Sequence, residues 1–216
     1  MINATDTVLF QGDSITDCGR HRQADEPNDP AGLGAGYAHY AAAMLLADHN
    51  PVTLRAFNRG VGGDRIPDLI ARWQRDALDL KPTVVSILVG INDIWHGLSG
   101  DPSRGVNRED FEAQYRQLLT DTAETLPGVR FVIGEPFLTP TGYATMLPMD
   151  DELTARRATI RGIADDHGAV FVPYQSVFDA AMDRGVPAEH LAFDGVHPTM
   201  AGHMLMARAW YDAVHA

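Results

Sequence analysis

The chain's pattern predicts an α/β fold, a three-layer α/β/α sandwich in which a parallel sheet lies between two layers of helices. Two observations carry that expectation. Short apolar runs recur along the chain with little polar alternation, as strands buried on both faces require. Between them lie segments long and periodic enough for helices, which parallel strands need as crossovers. No internal repeat and no low-complexity linker divides the 216 residues, so residues 1–216 are expected to form one domain. A chain of that length buries about 70% of its unfolded surface and needs no disulfide or metal to hold it together.

Taken in order, Thr7–Gln11 is the first strand, apolar through Val8, Leu9 and Phe10. Tyr37–Asp48 has helical periodicity and good helix formers. Val52–Asn58 alternates as a strand. Ile66–Leu78 reads as an amphipathic helix with Pro67 in its first turn, where a missing N–H does no harm. Thr83–Val89 is a β-branched run bounded by Pro82 and Gly90. Arg108–Thr125 is a helix with Phe111, Tyr115, Leu118, Leu119 and Thr122 on one face. Val129–Ile133 is a strand, Asp150–His167 a helix and Ala169–Val172 a short strand. Helices over Gln175–Arg184 and Pro198–Val214 complete the chain. Two extended loops, Asp17–Gly34 and Phe137–Met149, follow predicted strands at their C-terminal ends, the edge where open parallel sheets bind ligands.

Composition excludes several classes of function. Hydrophobic residues at 45% and charged residues at 21% describe a globular protein rather than a disordered one. The formal charge of −12 and the absence of a basic run argue against nucleic acid and against an anionic membrane surface. A neutral or weakly charged substrate fits best. Cys18 is the single cysteine, so no intramolecular disulfide can form. The N-terminus lacks the basic start and long apolar core of a signal peptide. The longest mostly apolar stretch, Ala38 to Ala47, is too short to span a bilayer. A cytoplasmic location is therefore expected, although a chain whose leader had been removed would read the same.

Four segments carry chemistry. Ser14, in Gly12-Asp13-Ser14-Ile15-Thr16-Asp17, follows the first strand; Gly62-Gly63-Asp64 follows the second; Gly90-Ile91-Asn92-Asp93 follows the third. Asp194 and His197 precede the last helix. Consecutive exits of a parallel sheet share one rim, so a hydroxyl, a glycine-rich turn and a side-chain amide are expected together. These residue types suit acyl transfer. Ser14 would attack a carbonyl, His197 would take and return its proton, and Asp194 would hold the imidazole. Ser14 N–H, Gly63 N–H and the Asn92 carboxamide would receive the oxyanion. Glycine at 63 lets the backbone approach without a Cβ in the way.

Those four blocks, with Asp194-Gly195-Val196-His197-Pro198 as the last, match in order the signatures of the SGNH hydrolases, also called GDSL esterases. The resemblance covers essentially the whole chain. It implies a flavodoxin-like parallel five-stranded sheet, nucleophile Ser14, oxyanion residues Gly63 and Asn92, and base His197 with Asp194. Within the family, Cys18-Gly19-Arg20, Gly36-Tyr37, Ala71-Arg72-Trp73, Ile94-Trp95 and Thr199-Met200-Ala201-Gly202-His203-Met204 resemble the intracellular xylan acetylesterases. That implies removal of acetyl groups from xylo-oligosaccharides, with self-association into oligomers, as relatives in this subgroup show. Competing readings are a lysophospholipase or acyl thioesterase on the same scaffold, and a non-catalytic carbohydrate-binding relative.

Plainer readings accompany each residue. Ser14 could cap a helix, with Asp17 completing the first turn. Asp194 and His197 could form a surface turn, Gly62-Gly63 a tight turn, and Asn92 a loop cap. The four blocks together favour catalysis. Asp13 is expected to bond amides around the nucleophile turn and Asp93 to brace its loop. Glu135, after the fourth strand, could reach the same rim. Trp95 and Phe193 flank catalytic blocks and would wall the acyl pocket or stack on a sugar; core packing is the alternative. The remaining histidines, His96 among them, show no zinc spacing, and no lysine follows the glycines as a phosphate loop demands. No metal and no cofactor is expected.

Overall fold

The computed structural model describes residues 2–49, 53–99 and 101–216. In chain order its elements begin β1 (Thr7–Gly12), α1 (Ser14–Asp17), α2 (Pro30–Leu33), α3 (Tyr37–Asp48), β2 (Arg55–Asn58) and α4 (Ile66–Asp76). There follow β3 (Val84–Leu88), α5 (Ile91–Leu98), α6 (Arg108–Thr125), β4 (Arg130–Gly134) and α7 (Asp150–Asp166). The chain closes with β5 (Val170–Val172), α8 (Tyr174–Asp183), α9 (Ala188–Leu191) and α10 (Met200–His215). The five strands form one parallel sheet in the order β2-β1-β3-β4-β5, the flavodoxin-like arrangement.

Strand alternation builds two cores. Val8 and Phe10 point to one face, where Tyr37, Ala41 and Leu45 of α3, Phe178 of α8, and Met206 and Trp210 of α10 pack. Leu9, Val85 and Ile87 point to the other, against Ile66, Leu69 and Trp73 of α4, Phe111 and Tyr115 of α6, and Ile160 of α7. Because both faces are covered, the strands need no polar side, which is why they read as continuous apolar runs. The two tryptophans facing these cores bring polar handles that find partners: Trp210 donates to Ser86 Oγ at 2.9 Å and Trp73 to Thr122 Oγ1 at 2.9 Å.

Most expected elements appear within a few residues of their predicted ends. Val52, the expected start of the second strand, lies outside the described residues; the described strand begins at Arg55. Three short helices, α1, α5 and α9, lie where the sequence reading assigns no element. The amphipathic segment at 66 ends at Asp76 and continues as a 3₁₀ turn over Leu78–Leu80. Both expected loops carry local structure, α2 in one and a 3₁₀ turn over Tyr143–Met146 in the other. The strand order reverses between β1 and β3, and Ser14 and Asn92 follow those two strands. That is the crevice where doubly wound sheets place their ligands.

Candidate active site

Asp13, not Ser14, caps α1: its Oδ1 accepts the Ile15 N–H at 3.0 Å. Ser14 is the first residue of the helix, so its N–H has no intrahelical partner and its hydroxyl is free of capping duty. That hydroxyl lies 2.8 Å from His197 Nε2, although 183 positions separate the two residues. His197 Nδ1 lies 2.7 Å from Asp194 Oδ2, and Asp194 Oδ1 accepts the N–H groups of Val196 at 3.0 Å and His197 at 2.8 Å. Burial works to raise the Asp194 carboxyl, but its bonds from the His197 backbone and ring and from Val196 outweigh it and hold the group below the usual range. An ionised carboxylate only accepts, so the imidazole proton sits on Nδ1. Nε2 is then an acceptor, and Ser14 Oγ–H is the donor to it.

A second side chain near the first helix meets an imidazole, and it is wired in the opposite sense. Cys18 Sγ is 3.3 Å from His203 Nε2, while His203 Nδ1 accepts the Tyr37 N–H at 3.1 Å. A neutral ring accepting at Nδ1 carries its proton on Nε2, so it donates to sulfur and cannot take a proton from the thiol. Burial keeps that ring neutral by lowering it to about 4, the charge on His197 acting the same way. Of the two pairs, only Ser14–His197 has the polarity of a nucleophile and its base.

Gly63 and Asn92 meet around Asp64. Asn92 lies in the first turn of α5 rather than in a loop, and one hydrogen of its buried amide goes to Asp64 O at 3.2 Å. An amide nitrogen has two hydrogens, so one remains for another acceptor. Gly63 has φ +87°, which a side chain would strain, and His96 Cε1 is the nearest atom to where a Cβ would stand, at 3.9 Å. The neighbouring Gly62 N–H is occupied by Asp17 Oδ2 at 3.0 Å. Asp17 thus ties the serine helix to the glycine turn, a role not read from the sequence. Its place in the Gly12–Asp17 block was the only signal.

Arg72, marked in the sequence only within a family block, has a similar role that the sequence did not assign. Its guanidinium reaches Asp64 Oδ2 at 2.7 Å, Arg59 O at 2.6 Å and Gly12 O at 3.3 Å, joining the exits of β1 and β2 to the glycine turn. Asp93 braces from the far side. Its Oδ1 accepts the Ile66 N–H at 3.0 Å, fixing the start of α5 to the start of α4. Burial pushes the Asp93 carboxyl up to about 6, against that bond and the Arg156 charge. It also pushes Asp13 up to about 7, against the Ile15 bond and His197.

The remaining expected residues divide. The Trp95 ring centroid is 6.5 Å from that of His197 and 5.9 Å from that of Tyr143, a residue of the second loop that no pattern marked. Phe193 is 70% exposed and borders an apolar recess of about 710 Å³ with Tyr40, Met200 and Met204. Glu135 is committed elsewhere: its Oε2 accepts the Gln175 N–H at the start of α8. Among the described residues, no group of three or more His, Cys, Asp or Glu side chains is placed to hold a metal ion. No helix among them is long and apolar enough to cross a membrane.

The model of the GDSL-like lipase/acylhydrolase family matches residues 10–205. The chain belongs to that family. An acetylxylan esterase from Geobacillus stearothermophilus is 36% identical over 211 residues, 97% of this chain and 94% of that protein. The crystal structure of an acetylxylan esterase from the same organism superposes with a TM-score of 0.85 at 34% identity, covering 98% of this chain and 94% of that one. A structure described as a GDSL-like lipase from Parabacteroides merdae gives 0.90 at 38% identity, covering 98% and 96%. Catalytic mutants of the Geobacillus esterase replace a serine, an aspartate and a histidine with alanine. The protein is a carboxylic ester hydrolase with the SGNH hydrolase fold.

Proposed function

We propose that the protein removes acetyl groups from xylo-oligosaccharides or related carbohydrates through an acyl-Ser14 intermediate. The observation that carries this reading is the chain of contacts from Asp194 Oδ2 through His197 to Ser14 Oγ, at 2.7 and 2.8 Å. Ser14 Oγ attacks the ester carbonyl as His197 Nε2 takes its proton. The imidazolium, balanced by Asp194, returns that proton to the leaving sugar oxygen. Ser14 N–H, Gly63 N–H and the second Asn92 amide hydrogen hold the oxyanion. Water then repeats the sequence on the acyl-enzyme, with His197 as base, and releases acetate.

Trp95 walls the acyl site, and exposed Phe193, next to Asp194, offers a face to the sugar. The acetyl preference is supported by the likeness to acetylxylan esterases. The protein is proposed to act in the cytoplasm, on a small-molecule or oligosaccharide ester, and to self-associate.

The test compares acetylated xylo-oligosaccharides with a long-chain nitrophenyl ester, wild type against Ser14→Ala. Acetate release by wild type, lost in Ser14→Ala, is expected, with mass spectrometry showing an acetyl adduct on the Ser14 peptide after rapid quenching. Faster cleavage of the long-chain ester would replace the carbohydrate reading with a lysophospholipase or thioesterase.

A further inference from the structure

Beside the glycine turn, sharing Arg72 with the bracing just described, the protein gathers Arg20, Arg22, Arg59, Arg72 and Arg75 around a cavity of about 660 Å³. The whole chain has 17 Lys and Arg and a formal charge of −12, so five arginines at one cavity reverse the local sign. Four carboxylates answer them incompletely. Arg22 pairs with Asp17 at 2.7 Å, Arg59 with Asp25 at 3.1 Å, Arg72 with Asp64 at 2.7 Å, and Arg75 with Asp76 at 2.6 Å. Asp25 is 76% exposed, so its pair is screened by solvent.

Arg20 stands apart. It is 8% exposed, its Nε donates to Gly60 O at 2.8 Å, and among the described residues its buried Nη1 has no partner and no carboxylate pairs with it. A buried guanidinium normally has its charge matched and its donors filled, because leaving either unmet costs folding energy. Burial lowers this one to about 10; Asp17 opposes that shift, while Arg59, Arg22 and Arg72 reinforce it. The surplus positive charge around the cavity has a natural complement, a planar or tetrahedral oxyanion. The volume suits a sugar-sized molecule.

We propose that this cavity is an anion-binding site that takes the carboxylate or phosphate of a small solute, anchored by Arg20. Neither Ser14 nor His197 lines it, and the proposal is independent of the proposed esterase substrate.

Isothermal titration of the purified protein with sodium glucuronate, and separately with inorganic phosphate, tests this at constant ionic strength, with glucose as the neutral control. Saturable millimolar or tighter binding of either anion is expected, and none of glucose. Glucuronate alone marks a carboxylate site, phosphate alone a phosphate site, and both a site that reads the anionic group. Arg20→Gln weakens binding about tenfold or more, because a charge and its donors are lost together. Arg20 also supports Gly60, so Arg75→Glu serves as the second variant. Its side chain is 77% exposed at the cavity mouth, it folds and cleaves nitrophenyl acetate as wild type does, and it weakens the anion about fivefold. Heat that fails to saturate with either anion, or Arg75→Glu binding as wild type does, overturns the proposal. Both readouts are independent of whether acetylated sugar is hydrolysed.

Discussion

Replacing Asn92 by alanine separates the chemistry of the site from its scaffolding. The side chain is 8% exposed and makes one neutral hydrogen bond, to Asp64 O at 3.2 Å. Losing that bond costs about 1 kcal/mol, and with the small void left behind about 2 kcal/mol at most. For a domain of this size each kcal/mol lowers Tm by about 2–4 °C, so the variant remains folded at 25 °C. The second amide hydrogen is the group proposed to meet the oxyanion, and removing one such donor costs about 10²–10³ in kcat. That interaction strengthens only as charge develops, so KM changes little. The assay is steady-state hydrolysis of 4-nitrophenyl acetate at 25 °C beside a circular-dichroism melt. Asn92→Asp, nearly isosteric but presenting acceptor oxygens, falls at least as far. A kcat for Asn92→Ala within about threefold of wild type, or a loss carried by KM, would refute the reasoning.

Two further outcomes follow from buried groups and tight backbone. Asp13 is raised to about 7 by burial, against an unfolded value near 3.8, so between those values the unfolded chain releases a proton that the folded one keeps. Stability therefore falls as pH rises through that window, by up to about 1.4 kcal/mol per unit, Asp93 acting in the same direction. Asp13→Asn keeps an oxygen for the Ile15 N–H and flattens the curve; melts between pH 4 and 8 that match wild type in slope would exclude Asp13 as a cause. Gly195 has φ +96°, and a Cβ there would lie 2.7 Å from Thr141 O. Gly195→Ala is expected to cost about 2–4 kcal/mol and to lower kcat by moving the Asp194–His197 turn. A melt unchanged from wild type would contradict that.

Strands were the most legible part of the fold, because two-sided burial forces unbroken apolar runs such as Val8-Leu9-Phe10 and Val84-Val85. Strand order was not legible from periodicity: nothing in Val84–Leu88 says that it pairs with β1 rather than β2, and the order came only through family likeness. Helix α5 escaped because Gly90, Asn92 and Asp93 are loop-forming types, although Ile91, Ile94 and Trp95 have helical spacing. Bond direction lies further out of reach. Cys18–His203 and Ser14–His197 look alike as residue pairs, and only the Tyr37 N–H at one ring and the Asp194 carboxylate at the other distinguish them. Arg72 and Asp17 were hidden for a related reason, since their work is to join backbone segments far apart in sequence.

The site divides into a part assembled locally and a part assembled by the fold. Asp194 uses one oxygen for two backbone N–H groups of its own turn and the other for the ring three residues on, so the proposed base and its carboxylate form one short unit. The serine half also has local support, in the Asp13 cap and a helix of four residues. What no local rule supplies is their meeting. That depends on α10 packing against α3, with Met206 and Trp210 in the same core as Tyr37 and Leu45, and on the Trp210–Ser86 bond that ties α10 to β3. The oxyanion side has a different dependence, on Arg72 and Asp93 locking α4, α5 and the strand exits together on the opposite face. Damage to the α3–α10 contact should therefore separate Ser14 from His197, the proposed nucleophile and base, while damage at Arg72 should loosen the glycine turn and the β1 exit together. The proposed catalytic centre draws on packing at both faces of one sheet, which is why its residues come from both ends of the chain.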